Sequence, residues 1–380
     1  MMPMEREYLR AIHQQFDATP EDKDLFARIA GSPSGEWKQI LEGITELTGR
    51  RGLAYSLLAL YRQQVNCGFV LADPLRPEGK ETKRFRDETC DVEFRLLWNP
   101  DRELRKDHAL LIERGVIAEH VDQTRLINRD KHGKPCYLCK ENIALQSPAE
   151  ILLPLQLGGE EYLLGANFAY IENNHFTVMS SEHRDQRYRK HILNVLNDFV
   201  ERTDGHFRAI FNGLAGASIP WHEHLQVTNV SFPIEAIRIQ RYDVVVEANG
   251  IRVSQPFYYT PLWVVEGGCR RTVADAAHRV IVTWHELNPK HHTENVIASR
   301  LGGTFRMFIF LRDIRRLAGE GKFGDMASFE CGGSIVLSYR PPPQRPHETN
   351  ERNTFESATL ATVRRLLADI APVIPDVDFA

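Results

Sequence analysis

Residues 216–226 read Gly-Ala-Ser-Ile-Pro-Trp-His-Glu-His-Leu-Gln and carry the strongest structural signal in the chain. Alternate side chains of a strand share one face, so a strand over His222–Val230 would place His222, His224 and Gln226 together. The small residues before it would let backbone N–H groups approach a bound anion closely. An imidazole there could attack phosphorus while the Gln226 amide donates to a phosphoryl oxygen. The alternative is a pair of surface histidines on an edge strand.

The surrounding segments predict a mixture of strands and helices. A helix is indicated before this stretch by apolar residues at i, i+3, i+4 and i+7, and Asp204-Gly205 would end it. The other predicted strands are Tyr162–Ile171, Phe176–Ser180, Phe207–Phe211, Arg279–Leu287, Thr304–Leu311 and Ser334–Leu337, and Phe355–Ile370 is a predicted amphipathic helix. These elements favour an α+β fold of two mixed halves, with mostly antiparallel sheet and flanking helices.

The chain is predicted to divide into three parts. Residues 1–90 form a helical N-terminal region with a polar linker over 73–90, which is rich in Pro, Gly, Lys and Arg. Residues 91–240 contain the His-x-His-x-Gln stretch and form the first mixed half. Residues 241–380 form the second half and the C-terminal helix.

Composition limits the classes of function. Hydrophobic residues make up 42% and charged residues 26% of the 380 residues, which is typical of a globular protein and excludes a disordered or collagen-like chain. The net charge of −4 favours neither nucleic acid nor an anionic membrane as a partner. No apolar run is long enough for a bilayer. Six cysteines are too few for a disulfide framework, so we expect a cytoplasmic protein.

Cys136-Tyr137-Leu138-Cys139 is a candidate metal site. Two thiolates at this spacing can bind one tetrahedral zinc ion, with the remaining ligands supplied from elsewhere. A redox pair or two inert buried cysteines are the alternatives. His183 lies where a predicted strand passes into a helix, a usual position for a ligand, and His175 competes with it.

Taken together, these residues resemble the histidine triad (HIT-like) superfamily. The similarity is to the branch of galactose-1-phosphate uridylyltransferases, dinucleoside polyphosphate phosphorylases and GDP-sugar phosphorylases. The motifs that carry it are Cys136 with Cys139, Asn167-Phe168, Ser180 to His183, and Ser218 with His222 to Gln226. The segments Asn99–Arg102, Pro135–Cys139 and His175–Gln186 look most like the uncharacterised DUF4922 family.

The resemblance implies a HIT-like fold and a set of residue roles. His224 is the implied nucleophile, which forms a covalent nucleotidyl-histidine, and Gln226 and Ser218 hold phosphoryl oxygens. The implied substrate-binding residues are Asn212, Asn167, Gly216 and, as a candidate cation, Arg102. Structural zinc is implied at Cys136, Cys139, His183 and His222, where it would order the strand that presents His224.

The implied activity is nucleotidyl transfer or phosphorolysis. The donor would be a nucleotide sugar or a dinucleoside polyphosphate, and the acceptor phosphate or a sugar 1-phosphate. Gln226 favours transfer, because in the superfamily a third histidine at that position accompanies hydrolysis. The His-Leu-Gln sequence is typical of the phosphorylases, whereas the cysteine pair is typical of the uridylyltransferases. Because the chain combines both, the resemblance does not decide between phosphate and a sugar 1-phosphate as the acceptor. A hydrolase and a non-catalytic nucleotide sensor are the alternative functions. The resemblance allows either a monomer or a homodimer.

Overall fold

The computed structural model describes residues 3–130 and 132–374. Its α-helices are α1 (Pro3–Gln15), α2 (Pro20–Gly31), α3 (Trp37–Asn66), α4 (His108–Glu113), α5 (Lys140–Gln146), α6 (Lys190–Arg202), α7 (Arg270–Leu287), α8 (Ser328–Cys331), α9 (Glu351–Ser357) and α10 (Leu360–Asp369). Its strands are β1 (Glu81–Asp87), β2 (Val92–Trp98), β3 (Leu153–Leu157), β4 (Glu160–Ala166), β5 (Phe176–Ser180), β6 (Arg208–Asn212), β7 (His224–Thr228), β8 (Val244–Ala248), β9 (Ile251–Ser254), β10 (Leu262–Gly267), β11 (His292–Leu301), β12 (Thr304–Asp313) and β13 (Ser334–Leu337).

One ten-stranded antiparallel sheet organises the molecule, in the order β3-β4-β5-β7-β6-β11-β12-β10-β9-β8. Its two halves join where β6 pairs with β11, with Asn212 opposite Asn295. A smaller sheet, β1-β2-β13, contains the parallel pair β2–β13. The predicted α+β class, with mostly antiparallel sheet, flanking helices and a helical N-terminal region, is confirmed. The division at residues 90 and 240 stays a prediction.

Helices α3, α6 and α7 cover one face of the large sheet. The apolar positions predicted for a single helical face, Ile192, Val195, Leu196 and Phe199, are all fully buried in α6. The chain turns after this helix through Asp204 and Gly205, which both adopt positive φ. The other face packs partly against β2 and α10 and also carries the residues of the candidate site.

Several predicted elements are wrong or incomplete. The predicted strand Tyr162–Ile171 ends at Ala166 with β4. Arg279–Leu287 is the second half of helix α7 rather than a strand. The polar segment 73–90 contains strand β1, which pairs with β2. Phe355–Ile370 is divided between two helices, because α9 ends at Ser357 and Thr359 caps the start of α10.

None of the helices in residues 3–130 and 132–374 has the length and apolar character required to cross a bilayer.

Candidate active site and metal centre

His224 and Gln226 lie on the same face of β7, near the centre of the sheet. Gln226 pairs across the strands with Thr177, and His224 pairs with Met179. Leu225 and Val227, which alternate with them, point into the core on the opposite face. The expectation that His222 belongs to this strand is wrong: β7 begins at His224, and His222 lies in the preceding turn.

The His224 imidazole is oriented by its own backbone. Its Nδ1 lies 2.9 Å from the carbonyl oxygen of His222, so this nitrogen donates its proton there and Nε2 carries the lone pair. Within the described residues, no hydrogen bond engages Nε2. Burial lowers the pKa of His224 to about 4. The ring is therefore neutral at pH 7, with a free nitrogen available for attack.

A buried glutamine fixes the strand end that carries this histidine. Gln186 Oε1 accepts from the backbone N–H of His224 at 2.7 Å, and Gln186 Nε2 donates to the carbonyl oxygens of His224 and Asn212 at 2.9 and 2.7 Å. The side chain thus joins the ends of β6 and β7. The sequence prediction did not identify Gln186, since a buried amide has no signature until its backbone partners are known.

The four predicted metal ligands lie together. Cys136, Cys139, His183 and His222 each offer a ligand atom within 4.8 Å of the others. His222 Nδ1 lies 3.2 Å from Cys136 Sγ, 3.6 Å from Cys139 Sγ and 3.3 Å from His183 Nδ1. Tetrahedral zinc with bonds of about 2.0–2.3 Å requires ligand atoms roughly 3.3–3.8 Å apart. The residues therefore fit one tetrahedral ion.

Neighbouring groups favour the tautomer of His222 and the thiolate form of Cys139 that can bind a cation. His222 Nε2 lies 2.9 Å from the Ser180 carbonyl oxygen and donates to it, which leaves Nδ1 as the ligand atom. The pKa of the Cys139 thiol is lowered, first by a hydrogen bond from Cys136, with smaller contributions from the nearby His222 and from the Asn128 amide, which donates to the sulfur. A thiolate at Cys139 is the form that binds metal. His175, the competing candidate ligand, instead accepts from the Ile171 amide at 3.1 Å.

A buried carboxylate, Glu223, lies between the ligand His222 and the candidate nucleophile His224 in sequence. Glu223 is completely buried and accepts from the Tyr162 hydroxyl and the Arg184 guanidinium, both at 2.8 Å. Arg189 also donates to it. The Glu223 backbone carbonyl accepts from Ser180, and its N–H donates to Arg184. This cluster holds the backbone between His222 and His224 on both sides.

We expect Glu223→Gln to lower the free energy of unfolding by about 2–4 kcal/mol. The amide leaves two guanidinium groups without their shared counter-charge at a buried position. Urea denaturation of Glu223→Gln beside Glu161→Gln, an exposed acid of strand β4, measures the difference. Equal stability of the two variants would contradict a structural role for the buried carboxylate.

The conformation of the loop before β7 requires glycine at position 216. This residue has φ of +100°, and a Cβ there would lie 2.6 Å from the Cβ of Ala327. Ser218, on the same loop, is exposed and makes no hydrogen bond within the described residues. Its hydroxyl is therefore free to bind a ligand.

The two predicted asparagines, Asn212 and Asn167, occupy different positions in the structure. The Asn212 side chain is buried, and its hydrogen bonds are made to the second half of the chain. Its Oδ1 accepts from Asn295 and from the amide and hydroxyl of Ser328. Asn167 follows β4 and lies beside Thr177.

Arg102 is a cation without a carboxylate partner in the described residues. It donates to the carbonyl oxygens of Ala169 and Tyr170 at 3.0 and 3.3 Å. Burial lowers its pKa to about 10. The pKa of His175 is lowered by burial and, in addition, by the positive charge of Arg102. His175 lies next to Gln226. Arg102 therefore places positive charge close to the end of the site marked by Gln226.

Known proteins share features with this chain. Residues 80–229 match the family described as a domain of unknown function, DUF4922. Galactose-1-phosphate uridylyltransferase of Fusobacterium nucleatum is 23% identical over 201 residues, which are 47% of this chain and 40% of that protein. The chain thus spans less than half the length of this curated relative.

Two solved structures are also similar. One is yeast Ap4A phosphorylase in complex with AMP, with 15% identity, a TM-score of 0.48, and coverage of 77% of this chain and 88% of that chain. The other is a DUF4931 family protein from Bacillus cereus, with 11% identity, a TM-score of 0.29, and coverage of 39% and 81%.

The sequence matches agree with the predicted resemblance. Over residues 80–229 the chain matches the DUF4922 family, and its similarity to the galactose-1-phosphate uridylyltransferase-like branch of the histidine triad superfamily is confirmed.

Proposed function

We propose that this protein transfers a nucleoside monophosphate through a covalent nucleotidyl-His224 intermediate. The observation that carries the proposal is the orientation of His224, whose Nδ1 is bonded to the His222 carbonyl while Nε2 has no partner in the described residues. A neutral imidazole fixed in one tautomer is a nucleophile that also leaves well. The sequence relative is a nucleotidyltransferase by name, which supports this class of reaction.

The proposed cycle has two displacements. His224 Nε2 attacks the α-phosphorus of the donor, an N–P bond forms, and the P–O bond to the leaving sugar 1-phosphate (from a nucleotide sugar) or nucleoside polyphosphate (from a dinucleoside polyphosphate) breaks. The oxygen of the acceptor then attacks the same phosphorus, and the electron pair of the N–P bond returns to Nε2. Gln226, Ser218 and the loop N–H groups around Gly216 stabilise charge on the phosphoryl oxygens. Arg102 attracts the anionic leaving group or acceptor.

We propose zinc as a structural ion at Cys136, Cys139, His183 and His222. When bound, zinc would link the loop that carries Cys136 and Cys139 to His183 and His222. His222 lies two residues before the nucleophile, so holding its ring also fixes the carbonyl that accepts from His224 Nδ1. We place the protein in the cytoplasm, where thiols stay reduced.

The proposed donors are nucleotide sugars and dinucleoside polyphosphates, with phosphate or a sugar 1-phosphate as acceptor. Gln226 supports transfer rather than hydrolysis, because the amide can donate to a phosphoryl oxygen but cannot act as an acid or base. Asn167, on the same sheet face, would contact the nucleotide. We propose that Asn212 shapes the site indirectly, through its bonds to Asn295 and Ser328.

Intact-protein mass spectrometry tests the proposal. The protein is mixed with UDP-, ADP- and GDP-sugars and with Ap4A, without acceptor, and we expect a mass gain of one nucleoside monophosphate that is lost in mild acid. Phosphate or a sugar 1-phosphate should then discharge the adduct. Rapid release of free nucleoside monophosphate without an acceptor would instead support a hydrolase. Nucleotide binding without adduct or turnover would support a sensor.

A further inference from the structure

A row of polar side chains lies on the same sheet face as His224. Gly165, Thr177 and Gln226 are directly paired across β4, β5 and β7, so they share a face. Thr177 and Gln226 are partly exposed, whereas Leu163 and Met179, the next pair on the same face and two residues along each strand, are buried. Solvent therefore reaches this face at Thr177 and Gln226, while Gly165 at the β4 end of the row is buried.

Glu150 covers the β4 end of this row, at Gly165. A Cβ on Gly165 would collide with a Glu150 carboxyl oxygen and would lie 3.0 Å from Leu152. The carboxyl group therefore lies directly over the Gly165 backbone, in the space that the missing side chain leaves. Asn167 Nδ2 approaches Thr177 Oγ1 at 3.5 Å on the same side. We call Glu150, Asn167, Thr177 and Gln226 the polar row.

The Glu150 carboxyl group has no partner among the described residues. No ion pair or hydrogen bond engages its oxygens, although the residue is only partly exposed. Burial alone raises its pKa to about 8, with no neighbouring charge contributing. Burial thus favours the protonated form of the carboxyl group, which offers an O–H donor beside a carbonyl acceptor. An unpaired polar group of this kind costs stability unless a ligand satisfies it.

The distance along the polar row matches one nucleotide. Gln226 and Gly165 are separated by two strand spacings, roughly 10 Å. With a phosphoryl group bound at His224 and Gln226, a nucleoside extended along the row would bring its base to Glu150. Every nucleobase has a hydrogen-bond donor next to an acceptor on its Watson–Crick edge, and a protonated carboxyl group complements that pair.

We propose that Glu150 is the residue that binds the nucleobase edge, through one donated and one accepted hydrogen bond. This inference rests on the proposed function, because it takes His224 as the position of the phosphoryl group. Asn167 and Thr177, between the two ends, would face the sugar. Glu150 thus determines specificity for a nucleotide over a sugar phosphate that lacks a base.

Calorimetric binding of nucleotides and ribose 5-phosphate tests this role. We expect Glu150→Leu to weaken binding of the preferred one among AMP, CMP, GMP and UMP by about 10-fold or more. The affinity for ribose 5-phosphate should stay unchanged, since that ligand has no base. Glu150→Gln, which keeps a donor and an acceptor, should retain most of the nucleotide affinity.

The outcomes separate this inference from the proposed function. If wild-type protein binds nucleotides and Glu150→Leu leaves their affinity unchanged, or weakens nucleotide and ribose 5-phosphate equally, Glu150 does not bind the base. If the wild-type protein binds no nucleotide at all, both proposals fail. Thermal unfolding serves as the folding check, and Glu150→Leu should be at least as stable as wild type because it removes an unpaired buried acid.

Discussion

Replacing His224 by alanine is expected to abolish nucleotidyl transfer, with a loss of about 10⁴-fold or more in kcat. Removal of a covalent nucleophile eliminates both displacements, and the remaining groups can only stabilise charge. The effect on stability should be small, since the one hydrogen bond that the ring makes to the described part of the chain is to the carbonyl of His222. Steady-state turnover and the mass of the acceptor-free protein measure the result.

His120→Ala is a suitable control for His224→Ala, because His120 is exposed and lies outside the site. It should keep full turnover and the same adduct. Retention of the adduct in His224→Ala would place the nucleophile elsewhere. Loss of turnover together with loss of the folded state would point to a structural role for His224 instead.

The second large effect is expected on removal of the metal site. Cys136→Ser should lose bound zinc and lower the free energy of unfolding by about 4 kcal/mol or more. The ion would bind only the folded arrangement of four ligands, so its binding free energy adds to folding. Elemental analysis of the purified protein and denaturant unfolding with and without a chelator give the two quantities.

Cys269→Ser provides the matched control for the cysteine change. Cys269 is exposed and lies outside the cluster of four ligands. Its variant should keep the metal, the stability and the response to chelator. A wild-type protein that contains no zinc, and whose stability equals that of Cys136→Ser, would eliminate the metal centre from the proposed function.

The candidate site was largely predictable because its residues form short motifs. The spacing of Cys136 with Cys139 and of His222 with His224 identified them as candidates, and the family resemblance supplied their expected roles. The structure brings the four candidate metal ligands within 4.8 Å of one another. Glu223 and Gln186 could not be predicted in the same way. Their importance comes from partners that are distant in sequence, such as Tyr162 for Glu223 and the Asn212 carbonyl for Gln186.

The one mistaken strand has a local cause. Val280, Ile281, Val282 and Thr283 form a β-branched run, which favours a strand when it is considered alone. Over the longer segment 270–287, however, Val273, Ala277, Val280, Ile281 and Trp284 repeat at helical spacing, and all five are buried against the sheet. Tertiary packing of that apolar stripe determines the structure, because helix stability comes mainly from burial of an amphipathic face.

The pairing of β6 with β11 has a consequence for how the molecule unfolds. Asn212 ends the first half of the sheet, yet its side chain is bonded to Asn295 and Ser328 of the second half. Detachment of the second half would turn β6 into an open edge and leave several buried polar groups without partners. The halves should therefore lose structure as one cooperative unit, so that the backbone around His224 remains closed until the whole sheet opens.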